Sequence, residues 1–209
     1  MARKNILSCI KQLDRSVFTT GEIVAVSGKS ASVVTQSLSY LEREGLIVKL
    51  ARGIWAETGK PVSPYQLVPF LMPRHRAYVS FVSALHLHGL IEQIPQTITL
   101  ASTAHTRVIH TKLGTFTVHQ IAPGFFKGFD WYRGQGHFLI AEPEKALVDS
   151  LYLSAHKKRQ FGFFPEMDFP KAFSFSRAGQ WAKAIAVPEV RSCVERKLRE
   201  LQKTYKSGS

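Results

Sequence analysis

Four side chains that can hydrogen-bond to nucleic-acid bases recur near the N-terminus at helical spacing. They are Ser32, Gln36, Ser39 and Arg43. Positions i, i+4, i+7 and i+11 lie on one face of an α-helix, and hydroxyl, amide and guanidinium groups can pair with base edges in a major groove. A cation, Lys29, stands just before this face, where it can meet a phosphate. The pattern is typical of a helix that recognises duplex DNA.

Two more cations follow in a predicted β-hairpin. Residues 46–50 and 54–56 have the composition of strands, and Ala51-Arg52-Gly53 joins them. Arg52 then lies at the hairpin tip and Lys49 at its shoulder, where cations suit phosphates or a minor groove. A unit that only docks proteins or serves as structure is the alternative. The predicted DNA-binding set is Lys29, Ser30, Ser32, Thr35, Gln36, Ser39, Arg43, Lys49 and Arg52.

The helix that carries the polar face also has an apolar stripe. We expect this helix to span residues 30–44 and to end at Gly45. Its inward residues, at i, i+4 and i+7, are Val34, Leu38 and Leu41. The polar face is therefore free to point away from the core.

Two helices are predicted before it. Thr19 and Glu22 have the spacing of a capping box, so a helix begins near Thr20. Gly28, which can adopt a positive φ at little cost, ends that helix. Residues 16–18 link it to a first helix, whose inward stripe is Ile6, Leu7, Ile10 and Leu13. Together with the hairpin, these elements predict a winged helix-turn-helix.

The whole chain is basic. It has 28 Lys and Arg against 15 Asp and Glu, and the resulting net charge of +13 favours polyanionic partners. Residues 1–60 hold nine basic and five acidic side chains, a net charge of +4, which leaves +9 for residues 61–209. The second part of the chain therefore either contacts nucleic acid as well or meets an acidic partner.

Cysteine usage and hydropathy indicate the cytoplasm. Cys9 and Cys193 lie far apart, so neither a disulfide framework nor a zinc site is expected. No apolar run reaches the length of a membrane span, and the basic start becomes polar too early for a signal peptide. We expect a cytoplasmic protein that uses no membrane, no cofactor and no metal.

A turn-rich segment at residues 57–63 divides the chain into predicted domains at 1–60 and 61–209. The expected fold class is α+β, with an N-terminal winged helix-turn-helix followed by a larger mixed α/β domain. In that second domain we expect a helix over residues 77–89, with Tyr78 facing inward, and a Phe- and Pro-rich stretch at 161–175 that wraps the core. The other predicted elements are a helix at 64–71, strands at 97–102, 107–111, 114–122 and 137–141, and helices from residues 143, 178 and 188.

Some residues of the second domain superficially resemble enzyme sites. His86 and His88 point in nearly opposite directions on a helix and cannot share one metal ion. Asp130, Glu142, Glu144 and Lys145 resemble the core of a metal-dependent nuclease. That chemistry needs an acid two residues before the lysine, and Pro143 stands there instead. Phosphate-binding glycine loops and G-x-S-x-G are also missing from the sequence, so we expect no enzyme.

An aromatic cluster precedes the last predicted strand. Such a cluster can stack on single-stranded bases when cations such as Lys127 and Arg133 stand nearby. The more common role is core beneath a long loop, which we favour. The cluster consists of Phe125, Phe126, Phe129, Trp131 and Tyr132.

With these motifs in place, the chain resembles the AbiEi antitoxins, which are transcriptional regulators of type IV, viral-defence toxin–antitoxin systems. The resemblance covers roughly residues 5–155. It depends on the order and spacing of four segments, namely LEREGLIVKLARGIWA, YVSFVSALHLHGLIEQIPQTITLAS, LGTFTVHQI and IAEPEKALVDSLYL.

The resemblance implies a protein with two functions. Its winged domain would bind inverted repeats in its own promoter, and its larger domain would counteract a nucleotidyltransferase-like toxin without requiring a stable complex. Carried over by position, the DNA contacts would be Ser32, Gln36, Ser39, Arg43, Lys49 and Arg52. Two alternatives stay open, a stand-alone regulator whose second domain senses a signal and a nucleic-acid-processing enzyme that the winged domain targets to DNA.

Overall fold

A computed structural model of the chain describes residues 5–134, 136–156 and 166–208. The chain forms two compact units, one of residues 1–71 with 110–114 and one of residues 72–109 with 115–209. Both helices and sheets are present, which confirms the predicted α+β class. The start of the Phe-rich stretch, residues 161–165, lies outside the described residues. The predicted domain boundary at residue 60 stays a prediction.

The first unit alternates helices with short strands. Its strands form an antiparallel three-stranded sheet in the order β1-β3-β2, with Phe18 opposite Trp55. Residues 17 and 18, which we expected to be a link, therefore belong to a strand. The elements are α1 (Ile6–Leu13), β1 (Val17–Thr19), α2 (Thr20–Ser27), α3 (Ala31–Arg43), β2 (Ile47–Ala51), β3 (Ile54–Glu57), a 3₁₀ helix (Pro64–Leu67) and α4 (Val68–Leu71).

The ends of α2 and α3 follow from their sequences as predicted. The Thr19 hydroxyl accepts from the Glu22 N–H at 3.2 Å, and the Glu22 carboxylate accepts from the Thr19 N–H at 2.8 Å, which completes a capping box. Gly28, with φ 65°, ends α2, and Gly45, with φ 73°, follows α3. These two left-handed residues set where the chain leaves each helix.

An apolar core packs these helices against the sheet. Val34, Leu38 and Leu41 of α3 are all buried in it, as the stripe predicted. Phe18 and Trp55 contribute from the sheet, and the Trp55 indole N–H donates to the Thr20 hydroxyl at 2.9 Å. Because the apolar stripe of α3 packs in this core, the opposite face of the helix is exposed.

We expect the Thr19 capping box to stabilise the first unit by about 1 kcal/mol, the usual value of such a cap. Burial raises the pKa of Glu22, but hydrogen bonds from Arg15 and Thr19 outweigh it and hold the pKa below its usual value. Thr19→Ala should lower the free energy of unfolding measured in urea. In the parent protein, the separate stabilisation from the ionised Glu22 carboxylate should be lost as the pH falls through the lowered pKa of Glu22.

The matched control for the cap is Thr58→Ala, because Thr58 is exposed in a turn of the same unit. Glu22→Gln should reduce the loss of unfolding free energy at acidic pH, whereas Thr58→Ala should leave that loss unchanged. Equal unfolding midpoints for Thr19→Ala and Thr58→Ala would contradict a stabilising cap.

The second unit is built on a six-stranded mixed sheet in the order β6-β7-β5-β4-β9-β8. Strand β4 is central, paired antiparallel with β5 and parallel with β9. Helix α6 packs against α5, α7 and α8. The elements are β4 (Ala77–Val79), α5 (Phe81–Leu87), β5 (Ile98–Ser102), β6 (Arg107–Thr111), β7 (Gly114–Gln120), a 3₁₀ helix (Pro123–Phe125), β8 (Phe129–Trp131), β9 (Leu139–Ala141), α6 (Pro143–Ala155), α7 (Phe175–Lys183) and α8 (Pro188–Gly208).

The largest departure from the sequence analysis is at β4. The predicted helix over residues 77–89 is wrong at its start, because Tyr78 lies in strand β4 and the helix begins at Phe81. Phe81 adopts φ 56°, a conformation that a bulky residue takes only when its surroundings impose it. The Thr99 hydroxyl donates to the Ser80 carbonyl at 2.7 Å and fixes this strand-to-helix turn.

The predicted strands β5, β6, β7 and β9 are confirmed, and so is the helix that opens at Pro143. The members of the predicted aromatic cluster differ in burial. Phe125 is buried, and Phe126 and Phe129 pack on Tyr78 with ring centroids 5.2 and 4.4 Å away, which confirms the core role for these three. Trp131, in the short strand β8, is instead exposed.

Candidate nucleic-acid interface

The exposed face of α3 contains the polar residues that the sequence analysis selected. Ser32, Gln36, Ser39 and Arg43 are all exposed. They lie opposite the buried stripe, so one side of the helix packs on the core and the other presents hydrogen-bonding groups to solvent. A helix with this arrangement can enter a major groove without unpacking its own unit.

Three members of the predicted set, Ser30, Ser32 and Thr35, already have hydrogen-bonded hydroxyl groups at the start of α3. Ser30 is the N-cap of α3, and its Oγ accepts from the Val33 N–H at 3.5 Å and lies 3.1 Å from the Ser32 hydroxyl. The Thr35 hydroxyl donates to the Ala31 carbonyl at 2.8 Å. Gln36, by contrast, keeps a complete amide available for a base.

The β2–β3 hairpin presents the two predicted cations. Arg52 is exposed in the turn, which Gly53 closes with φ 73°. Lys49 is exposed on β2, and its ammonium lies 5.5 Å from the centre of the Trp55 ring. The Lys49 N–H donates to the Glu42 carboxylate of α3 at 3.2 Å, which ties the hairpin to the helix. Lys29, before α3, is half-buried.

Three exposed apolar residues that we did not predict lie beside this face. They are Val33, Tyr40 and Leu46, with exposed fractions of 44%, 54% and 48%. Val33 and Tyr40 fall outside the stripe that Val34, Leu38 and Leu41 define. That mismatch is visible in the sequence and is the signal that would have revealed them.

A second cluster of functional groups is buried in the second unit. Lys145 and Asp149 are one helical turn apart in α6, are fully buried and form an ion pair. The Asp149 carboxylate also accepts from the Tyr78 hydroxyl at 3.0 Å and the Ser80 hydroxyl at 2.7 Å. The Lys145 ammonium donates to the Tyr78 oxygen at 3.1 Å and lies 3.8 Å from the centre of the Phe125 ring. Each charge in the pair therefore has several partners.

Burial dominates the protonation behaviour of this cluster. It lowers the pKa of Lys145, although attraction to Asp149 opposes that shift. Burial and the negative charge of Asp149 raise the pKa of Tyr78 well above its usual value. The Tyr78 hydroxyl therefore keeps its proton and remains a donor to Asp149. All these side chains are inaccessible to solvent, and their mutual contacts join α6 to β4 and the turn that follows it.

The side chains that resembled a nuclease core have other partners. Lys145 is paired with Asp149, and the Glu144 carboxylate accepts from the Ser174 N–H at 3.0 Å at the start of α7. Glu142 lies 3.3 Å from the Arg177 guanidinium, and Asp130 accepts from the Trp131 N–H at 2.7 Å. This pattern favours the helix-opening role over a metal centre.

The two neighbouring histidines make hydrogen bonds to backbone carbonyls. His88 Nε2 lies 2.8 Å from the Ala141 carbonyl, and His86 Nδ1 lies 3.4 Å from that of Ile91. Across residues 5–134, 136–156 and 166–208, no three His, Cys, Asp or Glu side chains converge as a metal ion would need. Within the same residues, no helix combines the length and the apolarity of a membrane span.

The polar face of α3, the cations of the hairpin and the positive net charge define a candidate DNA-binding unit of the kind that regulators use. Residues 11–58, which contain this unit, match the family model described as "Transcriptional regulator, AbiEi antitoxin". The resemblance to the AbiEi antitoxins is therefore confirmed over these residues. No curated protein sequence matches the chain. The motifs of the second unit lie outside the family match, and their assignment to the family stays a prediction.

Proposed function

We propose that the protein is a transcriptional repressor that binds inverted repeats in its own promoter and also serves as the antitoxin of a type IV toxin–antitoxin system. The observation that supports this proposal most directly is the exposed polar face of α3, which lies within the segment that matches AbiEi regulators. The toxin would be nucleotidyltransferase-like, and a stable complex with it would not be required. The proposed DNA contacts are Lys29, Ser30, Ser32, Thr35, Gln36, Ser39, Arg43, Lys49 and Arg52.

The element order supports a winged helix-turn-helix in this role. Helices α2 and α3 are joined by a short turn at Gly28, and α3 is followed directly by the β2–β3 hairpin. In this arrangement α3 would lie in the major groove while Arg52, at the hairpin tip, reaches a phosphate or the minor groove.

The proposed antitoxin activity belongs to the second unit and does not involve catalysis. The polar cluster around Lys145 and Asp149 is inaccessible to solvent, and its two charged groups are paired with each other. We place the protein in the cytoplasm, where its free cysteines Cys9 and Cys193 would stay reduced.

One variant separates the two proposed activities. Replacing Ser32, Gln36 and Ser39 together by alanine should abolish repression of a reporter driven by the protein's own promoter, because base-edge contacts are lost. The same full-length variant should still rescue the growth of cells that express the neighbouring toxin gene. Ser8→Ala, on an exposed part of α1, is the matched control and should retain both activities.

Other outcomes favour other functions. A protein that represses its promoter but has no neighbouring toxic gene would be a stand-alone regulator. If the triple variant retained full repression, α3 would not be the recognition helix. If the triple variant lost both activities while folded, rescue would depend on DNA binding.

A further inference from the structure

Val33, the third residue of α3, has an exposed apolar side chain. Its exposed fraction is 44%, whereas its neighbour Val34 is fully buried. Val33 precedes Gln36 by three positions, so the two side chains are neighbours on the helix surface. An aliphatic group therefore stands beside the residue with the strongest capacity to recognise a base.

The backbone of Val33 is fixed by neighbouring side chains. Its N–H donates to the Ser30 hydroxyl at 3.5 Å, and its carbonyl accepts from the Ser37 hydroxyl at 2.9 Å. Valine is β-branched and has one strongly preferred rotamer in a helix. Its two methyl groups thus project from a fixed position and lose little entropy on binding.

We propose that Val33 is a specificity-determining residue that contacts the 5-methyl group of a thymine next to the base that Gln36 recognises. This inference depends on the DNA-binding function proposed for α3. In the major groove the thymine methyl is the apolar feature that distinguishes this base, and apolar side chains contact it. Val33 can make no hydrogen bond through its side chain, so its contribution to base selection is a contact with this methyl group.

The surroundings favour DNA over a protein partner for Val33. Among its neighbours on the helix surface, Gln36 at i+3 is polar and exposed and Tyr40 at i+7 is aromatic and exposed, and the adjoining hairpin supplies the cations Lys49 and Arg52. A surface of this composition complements a polyanion with hydrogen-bonding groups between its phosphates.

The test uses the full-length protein and a duplex library of random sequence, from which the wild type selects its preferred site. Each thymine of that site is then replaced by deoxyuridine, which removes only the 5-methyl group. We expect the wild type to lose about fourfold in affinity at one thymine position, the effect of one buried methyl-sized group. Val33→Ala should bind both duplexes equally, with an affinity near that of the wild type for the uracil duplex.

The matched control is Val187→Ala, because Val187 is the same residue type with an exposed fraction of 45% in the second unit. It should discriminate thymine from uracil as the wild type does. The dependence of affinity on salt should be the same for all variants, since no phosphate contact changes.

Two results would overturn the role of Val33. One is a wild-type protein that binds thymine and uracil duplexes equally, and the other is a Val33→Ala variant that still discriminates between them. Failure to select any preferred duplex would instead overturn the proposed DNA-binding function, and the role of Val33 with it. Circular dichroism of Val33→Ala checks that the exposed substitution leaves the helix content unchanged.

Discussion

Replacing Asp149 by alanine will destabilise the second unit by about 3–5 kcal/mol, because it leaves the Lys145 ammonium buried without its counter-charge. Lys145 and Asp149 are both fully buried, so solvent cannot compensate for the loss. The hydroxyl groups of Tyr78 and Ser80 would lose their shared acceptor as well. Urea unfolding of the full-length protein, followed by circular dichroism, measures the change.

Two further variants make this first prediction specific. The double variant Lys145→Met with Asp149→Leu should recover most of the lost stability, because apolar groups of similar size often replace a buried pair without cost. Glu200→Ala breaks an exposed pair with Arg196 at the same spacing on α8 and should cost less than about 0.5 kcal/mol. If Asp149→Ala were no more harmful than Glu200→Ala, the buried pair would have no structural role.

Loss of DNA affinity should take two distinct forms within the proposed interface. Gln36→Ala should weaken binding to the preferred duplex by about 1–3 kcal/mol and leave random duplex unchanged, because its amide pairs with base edges. Arg52→Ala should weaken binding to both duplexes and lower the slope of log affinity against log salt by roughly one, because it removes one phosphate contact. Titration of both duplexes at several salt concentrations separates the two effects.

The control for this second prediction is Lys11→Ala, which removes an exposed cation of α1 in the same unit. It should change neither the affinity nor the salt slope. If Arg52→Ala lost affinity only for the preferred duplex at an unchanged slope, Arg52 would instead recognise a base in the minor groove. If no variant changed binding, the next candidate for the DNA-binding surface would be residues 61–209, whose net charge is +9.

The first unit was largely predictable because its signals are local. The capping box at Thr19, the stripe of α3 and the glycines after α2 and α3 each involve residues within one or two helical turns. The exposed face of α3 follows directly from that stripe. Local hydrogen bonds and periodicity thus account for the placement of most candidate DNA contacts.

The missed elements depend on distant partners. Strands β1, β4 and β8 have three residues each and, unlike the equally short β9, do not lie in a longer segment with strand-like composition. Each becomes a strand because a neighbour pairs with it, as Phe129 pairs with Ala141. The left-handed Phe81 likewise has no local cause in its own sequence.

The buried ion pair was missed for a related reason. Lys145 and Asp149, four residues apart, are equally compatible with a solvated helix surface, where such pairs are common. Only the packing of α6 against α5, α7 and α8 makes the helix buried on nearly every side. The hydrophobic periodicity of α6 alone does not indicate that environment.

The position of β4 in the sheet has a consequence for the order in which the second unit folds. Val79 pairs with Leu100 and with Ile140, which lie 21 and 61 residues further along the chain. The antiparallel neighbour closes a short loop, whereas the parallel neighbour closes a much longer one at a higher entropic cost. On loop closure alone, we expect the half-sheet that contains β5 to form first and the addition of β9 to be the slower step. In that order of folding, the Tyr78 and Ser80 hydroxyl groups would meet the Asp149 carboxylate only once α6, which follows β9 in the chain, has packed on the sheet.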